Sequence, residues 1–206
     1  MRICSFFCGM ITIFLLSACA SQDMTRSGYL TNYAGLQKKD EDRKEAIAVN
    51  STANLSQYTH AMIMPVVYAG KNTSGDEGTD FQRLSQLMQR QLQDKFSKRF
   101  ALTNQPAPNT LIVRAAITDV TKAKPVLNTI TTVGLAAPFF NGGLSGEAEL
   151  LDAVSGEQLR AITWAEEGSV WRLSQMKGSF SQLGHAEYLT GVFTDRIFAM
   201  TEASKE

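Results

Sequence analysis

Residues 144–165 read LSGEAELLDAVSGEQLRAITWA. From Leu144 the side chains alternate. Leu144, Gly146, Ala148 and Leu150 fall on one side, and Ser145, Glu147 and Glu149 on the other. A strand points successive side chains to opposite faces, so this is a strand with one buried and one wet face. Val154-Ser155-Gly156 is a turn signal, and Glu157 to Ala165 is the returning strand. A three-residue loop with Gly156 at positive φ sets Leu151 opposite Leu159, Ala148 opposite Ile162 and Gly146 opposite Trp164. Gly146, Ala148, Leu150, Ile162 and Trp164 then share the buried face. Arg160 joins them near the hairpin end, where its head reaches water. A four-residue loop beginning at Ala153 would instead pair Glu149 with Arg160 and turn Ile162 and Trp164 to the glutamate face. That exposed ion pair is worth only about 0–1 kcal/mol. The lost apolar burial costs more, so the three-residue loop is expected, with both glutamates wet and structural.

Upstream, Leu111-Ile112-Val113-Arg114-Ala115-Ala116-Ile117 is a second strand, with Leu111, Val113, Ala115 and Ile117 on one face. Ala61 to Tyr68 is a compact apolar run in which Pro65 marks an edge or a bulge. Between these strands the period changes. Phe81, Leu84, Met88, Leu92, Phe96 and Phe100 recur at spacings of 3 and 4, the stripe of an amphipathic helix starting at a Thr79 cap. Leu189, Val192, Phe193, Ile197 and Met200 form the stripe of a final helix. The implied fold is a two-layer α+β domain, an antiparallel or mixed sheet with helices packed on one face. Tyr29, Leu30, Tyr33 and Leu36 form a short docking turn ahead of it. Lys38 to Glu45, KKDEDRKE, reads as a solvated run of mixed sign.

The amino terminus has another grammar. Arg2 is the only charge before a mostly apolar run from Ile3 to Leu16, which ends at Ser17, Ala18 and Cys19. This is the layout of a signal peptide over residues 1–18. The run is too short to span a bilayer, which needs ~20 residues. The cysteines are Cys4, Cys8 and Cys19, so cleavage before Cys19 leaves one, at the first mature position. A lone cysteine forms no internal disulfide. Leu16-Ser17-Ala18-Cys19 resembles the bacterial lipobox, which implies acyl chains on Cys19 and a membrane partner bound through them. Enterobacterial lipoproteins with Asp after the cysteine stay at the inner membrane. Here that position is Ala20, so the resemblance implies the periplasmic face of the outer membrane. Residues 19–27 are then a lipidated tether, and 28–203 a single periplasmic α+β domain.

Candidate chemistry is sparse. The formal charge is zero over 206 residues, and basic residues are not interleaved with aromatic ones, which argues against nucleic acid. His60 and His185 are the only histidines, and no cysteine lies in the folded part, so no zinc site, other metal or cofactor is implied. His185-Ala186-Glu187 offers too few ligands, and His185 is expected at the surface or as a cap. Glu147 and Glu149 lie about 7 Å apart on one strand face, a spacing open to acid–base work. A wet strand face looks the same. From Pro125 to Gly146 no residue is charged. That stretch is either a long loop packed on its own domain or an apolar surface that meets a protein partner or the membrane.

Four stretches carry a further likeness. They are Ser27-Gly28-Tyr29-Leu30 with Tyr33 and Leu36; Leu55-Ser56-Gln57-Tyr58 leading into Met64-Pro65-Val66; Ala115 to Val120; and Glu147 to Asp152 with Ser155-Gly156-Glu157. In order and spacing they resemble a bacterial lipoprotein family catalogued as domain of unknown function, number 3313, over residues 26 to 200. The resemblance implies an exported, lipid-anchored protein and supplies no catalytic residues. The combined reading is a lipid-anchored envelope protein acting as a binding or structural module without catalysis. The alternatives are a carrier of an apolar ligand, or an enzyme acting on an envelope substrate through Glu147 and Glu149.

Overall fold

Eight strands form one mixed sheet in the computed structural model, which describes residues 22–38, 44–70, 76–135, 141–169 and 181–202. The strands are β1 (Gln37–Lys38), β2 (Glu45–Val49), β3 (His60–Ile63), β4 (Val67–Tyr68), β5 (Ala101–Leu102), β6 (Thr110–Thr121), β7 (Gly143–Asp152) and β8 (Gln158–Glu167). Their order is β1-β2-β8-β7-β6-β3-β5, and β4 also pairs with β6. The run from β1 to β6 is antiparallel, whereas β3 and β4 join β6 in parallel. Pro65 falls between β3 and β4, where a residue without an N–H interrupts the ladder. The two-residue β1 and β5 end the sheet, short edges that resist pairing with other chains.

Among the described residues the α-helices are α1 (Asp76–Phe96), α2 (Pro125–Leu135) and α3 (Gly184–Ala199). Helix α1 starts at Asp76, ahead of the expected Thr79 cap. Its stripe is as expected: Phe81, Leu84, Met88, Leu92 and Phe96 are buried, and so is Phe100 beyond the helix end. Helix α3 packs on α1, α1 lies against β3 and β4, and α3 lies against β7 and β8. Leu189, Phe193 and Ile197 share one core with the α1 stripe, with Leu111, Val113, Ala115 and Ile117 of β6, Leu144, Ala148 and Leu150 of β7, and Ile162 and Trp164 of β8. This is the expected α+β arrangement, with one sheet face under the helices.

The β7–β8 hairpin combines features of both loop readings. Gly146 pairs with Trp164 and Ala148 with Ile162, as the three-residue loop required. Leu151, however, pairs with Gln158 rather than Leu159, because the register shifts between Leu150 and Leu151. The Asp152 N–H donates to the Glu157 carbonyl at 3.0 Å, so the loop holds the four residues 153–156. The three-residue loop is therefore corrected at the tip and kept in the body. A bulge reconciles the two, inserting one residue and turning Leu159 into the core. The tip needs Asp152 as an Asx cap: its Oδ1 accepts the N–H groups of Val154 at 3.0 Å and Ser155 at 2.7 Å. It also needs Gly156 at φ 71°. The body needs Trp164 inside. Arg160 is buried rather than solvated, and its guanidinium donates to the Asn50 carbonyl at 2.8 Å.

Asp152 also ties the tip to the rest of the fold. Its Oδ2 accepts from the Tyr58 hydroxyl at 2.9 Å. Burial, and then this carboxylate, push the Tyr58 hydroxyl from 10.0 up to about 12. A raised folded-state value means that the stability from Tyr58 is complete below pH 10.0 and disappears as pH rises through about 12. Burial raises Tyr29 and Tyr33 in the same direction. Unfolding free energy should therefore fall with pH across this alkaline window. In Tyr58→Phe, urea titrations there should give a shallower slope, and an unchanged slope would assign the loss to other groups.

Candidate functional site

The second face of the sheet is covered by the chain's own amino-terminal segment. Residues 22–36 lie across it as a strap that forms neither helix nor strand. Residues 22–27, expected to belong to the lipidated tether over 19–27, lie on this face of the sheet, and Cys19 lies outside the described residues. Leu30 is buried against Ala48 and Ala161, with Tyr29, Tyr33 and Leu36 around it, which is the docking role expected of these residues.

Glu147 and Glu149 sit beneath the strap. They point away from the helices, as the strand alternation required, yet both are fully buried. The expected wet face is corrected: the strap excludes water from it. Each carboxylate is filled by strap donors. Ser27 donates its backbone N–H and its hydroxyl to the two oxygens of Glu147, both at 2.8 Å. The Tyr33 hydroxyl donates to Glu147 Oε2 at 2.5 Å and accepts the Gly28 N–H at 2.8 Å. Thr31 repeats the Ser27 pattern on Glu149, with its N–H and hydroxyl each at 2.9 Å. Arg114 on β6 pairs with Glu149 and covers the Tyr29 ring at 4.8 Å. Gln158 Nε2 donates to Glu149 Oε2 at 2.7 Å. Carboxylates that accept several hydrogen bonds tolerate burial as ions. They are docking points rather than an exposed acid–base pair.

Gln22 starts the strap at the other end of β7. Its N–H donates to Glu167 at 2.8 Å, and its amide nitrogen donates to Asp119 at 2.9 Å and Ser145 at 2.7 Å. Its amide oxygen accepts from Thr121 at 2.6 Å. Glycine at 143 leaves room for this side chain, since a Cβ there would stand 2.8 Å from Gln22 Oε1. These ties join residue 22 to β6, β7 and β8 at one end of the sheet.

Three further expectations are corrected. His185 is fully buried rather than at the surface, accepting the Gly142 N–H at Nδ1 at 3.0 Å. Glu45, assigned to a solvated run, is buried at the start of β2, 3.5 Å from Arg196. The uncharged stretch Pro125 to Gly146 is not one long loop: residues 125–135 form α2 and Gly143 begins β7. Pro125 suits a first helical position. Val126, Leu127, Ile130 and Val133 of α2 are exposed. His60 is exposed, with Nδ1 2.9 Å from the Thr59 hydroxyl. Between α1 and α3 lies an open groove of about 560 Å³, lined by Gln91, Asp94, Lys95, Glu187 and Asp195 among others. Tyr188 and Val192 also line it, so its walls are mixed, and it is an open groove rather than an enclosed cavity. Among the described residues, no group of three or more His, Cys, Asp or Glu is placed to hold a metal ion.

The partners of the two glutamates could not be read in advance. Ser27 and Glu147 are separated by 120 positions. Two hydroxyl residues four apart resemble any polar linker. The usable signal was the Tyr29-Leu30-Tyr33-Leu36 cluster, too apolar for a tether.

A family model described as "Protein of unknown function (DUF3313)" matches residues 25–197. The chain belongs to this family. The DUF3313 match begins inside the strap, at Thr25, so the strap is part of the family's domain. No curated protein matches the chain. Among solved structures, it is similar to a PelC dodecamer from Paraburkholderia phytofirmans, at 12% identity and a TM-score of 0.45 over 78% of this chain and 99% of that one. It is also similar to the hypothetical protein CT253 from Chlamydia trachomatis, at 13% identity and a TM-score of 0.42 over 70% of this chain and 98% of that one. A DUF4136 family protein from Bacteroides thetaiotaomicron is similar at 10% identity and a TM-score of 0.36, over 77% of this chain and 98% of that one.

Proposed function

We propose that this DUF3313 protein is a lipid-anchored envelope protein, held at the periplasmic face of the outer membrane through acyl chains on Cys19. Its α+β domain acts as a binding or structural module, not as a catalyst. One observation carries the reading: the strap closes over Glu147 and Glu149 and holds Gln22 on the sheet. The first half of that observation speaks against the enzyme alternative, because Glu147 and Glu149, the carboxylate pair considered for acid–base work, are filled by the chain's own donors. The second half sets what an anchor would do. Three residues of extended chain reach at most ~10–11 Å, so an anchor at Cys19 would hold the domain close to the bilayer in a restricted orientation. Each buried methylene adds roughly 0.8 kcal/mol, and two or three acyl chains give stable attachment. The groove between α1 and α3 is open to solvent, with charged residues among its walls, and gives no support to a carrier of apolar ligands.

Growth with labelled palmitate tests the anchor. The wild-type chain should take up label and Cys19→Ala should take up none, accumulating as unprocessed precursor or soluble protein. A wild-type chain without label, or a Cys19→Ala chain that keeps it, would overturn the anchor.

A further inference from the structure

Helix α2 is inside out with respect to water. Val126, Ile130 and Val133 recur at i, i+4 and i+7 on one face and are 73%, 62% and 86% exposed, with Leu127 beside them. The polar Asn128, by contrast, is fully buried. A helix on a water-facing surface places these residue types the other way round. No residue from Pro125 to Gly146 is charged, so nothing along the helix requires its outer face to stay in water. With 11 residues it is about 16 Å long, too short to cross a hydrocarbon layer of ~30 Å. It is long enough to lie along the surface of one leaflet with its apolar side submerged.

Its place in the fold selects the occupant. Helix α2 begins just beyond Thr121, the last residue of β6. Thr121 is also one of the residues that hold Gln22, together with Asp119 on the same strand and Ser145 on β7. The chain therefore leaves the described domain towards Cys19 at the end of the sheet that carries α2. Residues 153–156 mark the opposite end, the full length of β7 away.

We propose that the exposed face of α2 is a second membrane contact, seated among the headgroups and upper acyl chains of the leaflet that holds Cys19. The proposal rests on the lipid-anchor reading of Cys19. Acyl chains at residue 19 would keep this end of the domain near lipid. The stripe of Val126, Leu127, Ile130 and Val133 then meets lipid rather than water. The two contacts together fix which side of the domain faces the periplasm.

The full-length chain, reconstituted in vesicles of phosphatidylethanolamine with a minority of phosphatidylglycerol, provides the test. With residues 1–18 removed and Cys19 acylated, no free thiol remains. Ile130→Cys, Val133→Cys and Val154→Cys therefore each accept a single environment-sensitive fluorophore. Val154 is the control, exposed in the turn at the far end. Labels at 130 and 133 should shift to the blue and be quenched by spin-labelled acyl chains, and the label at 154 should do neither. Intact mass reports acylation separately. An acylated chain with water-like labels at 130 and 133 overturns the helix contact and leaves the anchor standing. An unacylated chain is relabelled with Cys4, Cys8 and Cys19 changed to Ser, so that 130 or 133 again carries the single label. Labels that still enter lipid there overturn the anchor and leave the helix contact. An unacylated chain with water-like labels overturns both. A blue shift that grows with protein-to-lipid ratio, without lipid quenching, assigns the face to a second copy or another protein and overturns the membrane contact.

Discussion

Phe193→Ala should lower the unfolding free energy by about 3–5 kcal/mol, the range for emptying a large aromatic site in a packed core. Phe193 is fully buried on α3 and stacks on Trp164 of β8, with ring centroids 5.0 Å apart and planes 10° apart. Gly146 of β7 makes room for the stack: a Cβ there would lie 2.2 Å from Phe193 Cε1. The site thus joins helix to both strands of the hairpin, and little around it is free to collapse into the void. Trp164→Ala belongs to the same size class. Because the rings touch, the double variant should cost less than the sum of the two. Gly146→Ala should be destabilising for the opposite reason, since overpacking displaces the ring at a cost of roughly 1–3 kcal/mol. Urea midpoints at constant slope read all of these. A Phe193→Ala variant within about 1 kcal/mol of wild type would mean that α3 does not depend on this contact.

Glu149→Ala should cost a comparable amount, about 3–5 kcal/mol, as removing one partner of a buried ion pair does. The change strands the Thr31 N–H and hydroxyl, the Gln158 amide and the Arg114 guanidinium at once. Thr31 is exposed and Arg114 partly exposed, so both can turn to water, which moves the value to the lower end or below it. Glu147→Ala strands the Ser27 donors and the Tyr33 hydroxyl. The effects should not add. Once the strap has lifted from one glutamate, the second has little left to hold, so the double variant should resemble the worse single. Hydrogen exchange locates the damage: amides 27–31 should lose protection in either variant, while those of α1 keep theirs. Retained protection at Ser27 and Thr31 would show that the strap is held by Leu30 and its apolar neighbours instead.

Legibility in the sequence followed the range of the forces involved. The stripes of α1 and α3 and the two-faced strands β6 and β7 declare themselves, because burial of every second or every third-to-fourth side chain is a local pattern. Strand β2 does not, since EAIAV is short and abuts a charged run. Helix α2 was obscured by its Thr, Val, Ile and Gly residues, which favour helix poorly in isolation. The β7–β8 loop defeated a single-register argument because tip and body have different requirements, and a bulge meets both.

The sequence by itself determined the α+β class, the inward faces of β6, β7, α1 and α3, and the alternation that sends Glu147 and Glu149 away from the helices. Each depends on side-chain period within one element, which the order of residues states directly. Only the tertiary structure decided what those glutamates meet. Their partners on the strap, Ser27, Thr31 and Tyr33, lie more than 110 positions away. A carboxylate bound for water and one bound for a strap's backbone N–H look alike along the chain. What separates them is desolvation, a property of whatever comes to rest above the sheet. The strap also fixes, through Gln22, which end of the domain the segment leading to Cys19 leaves from.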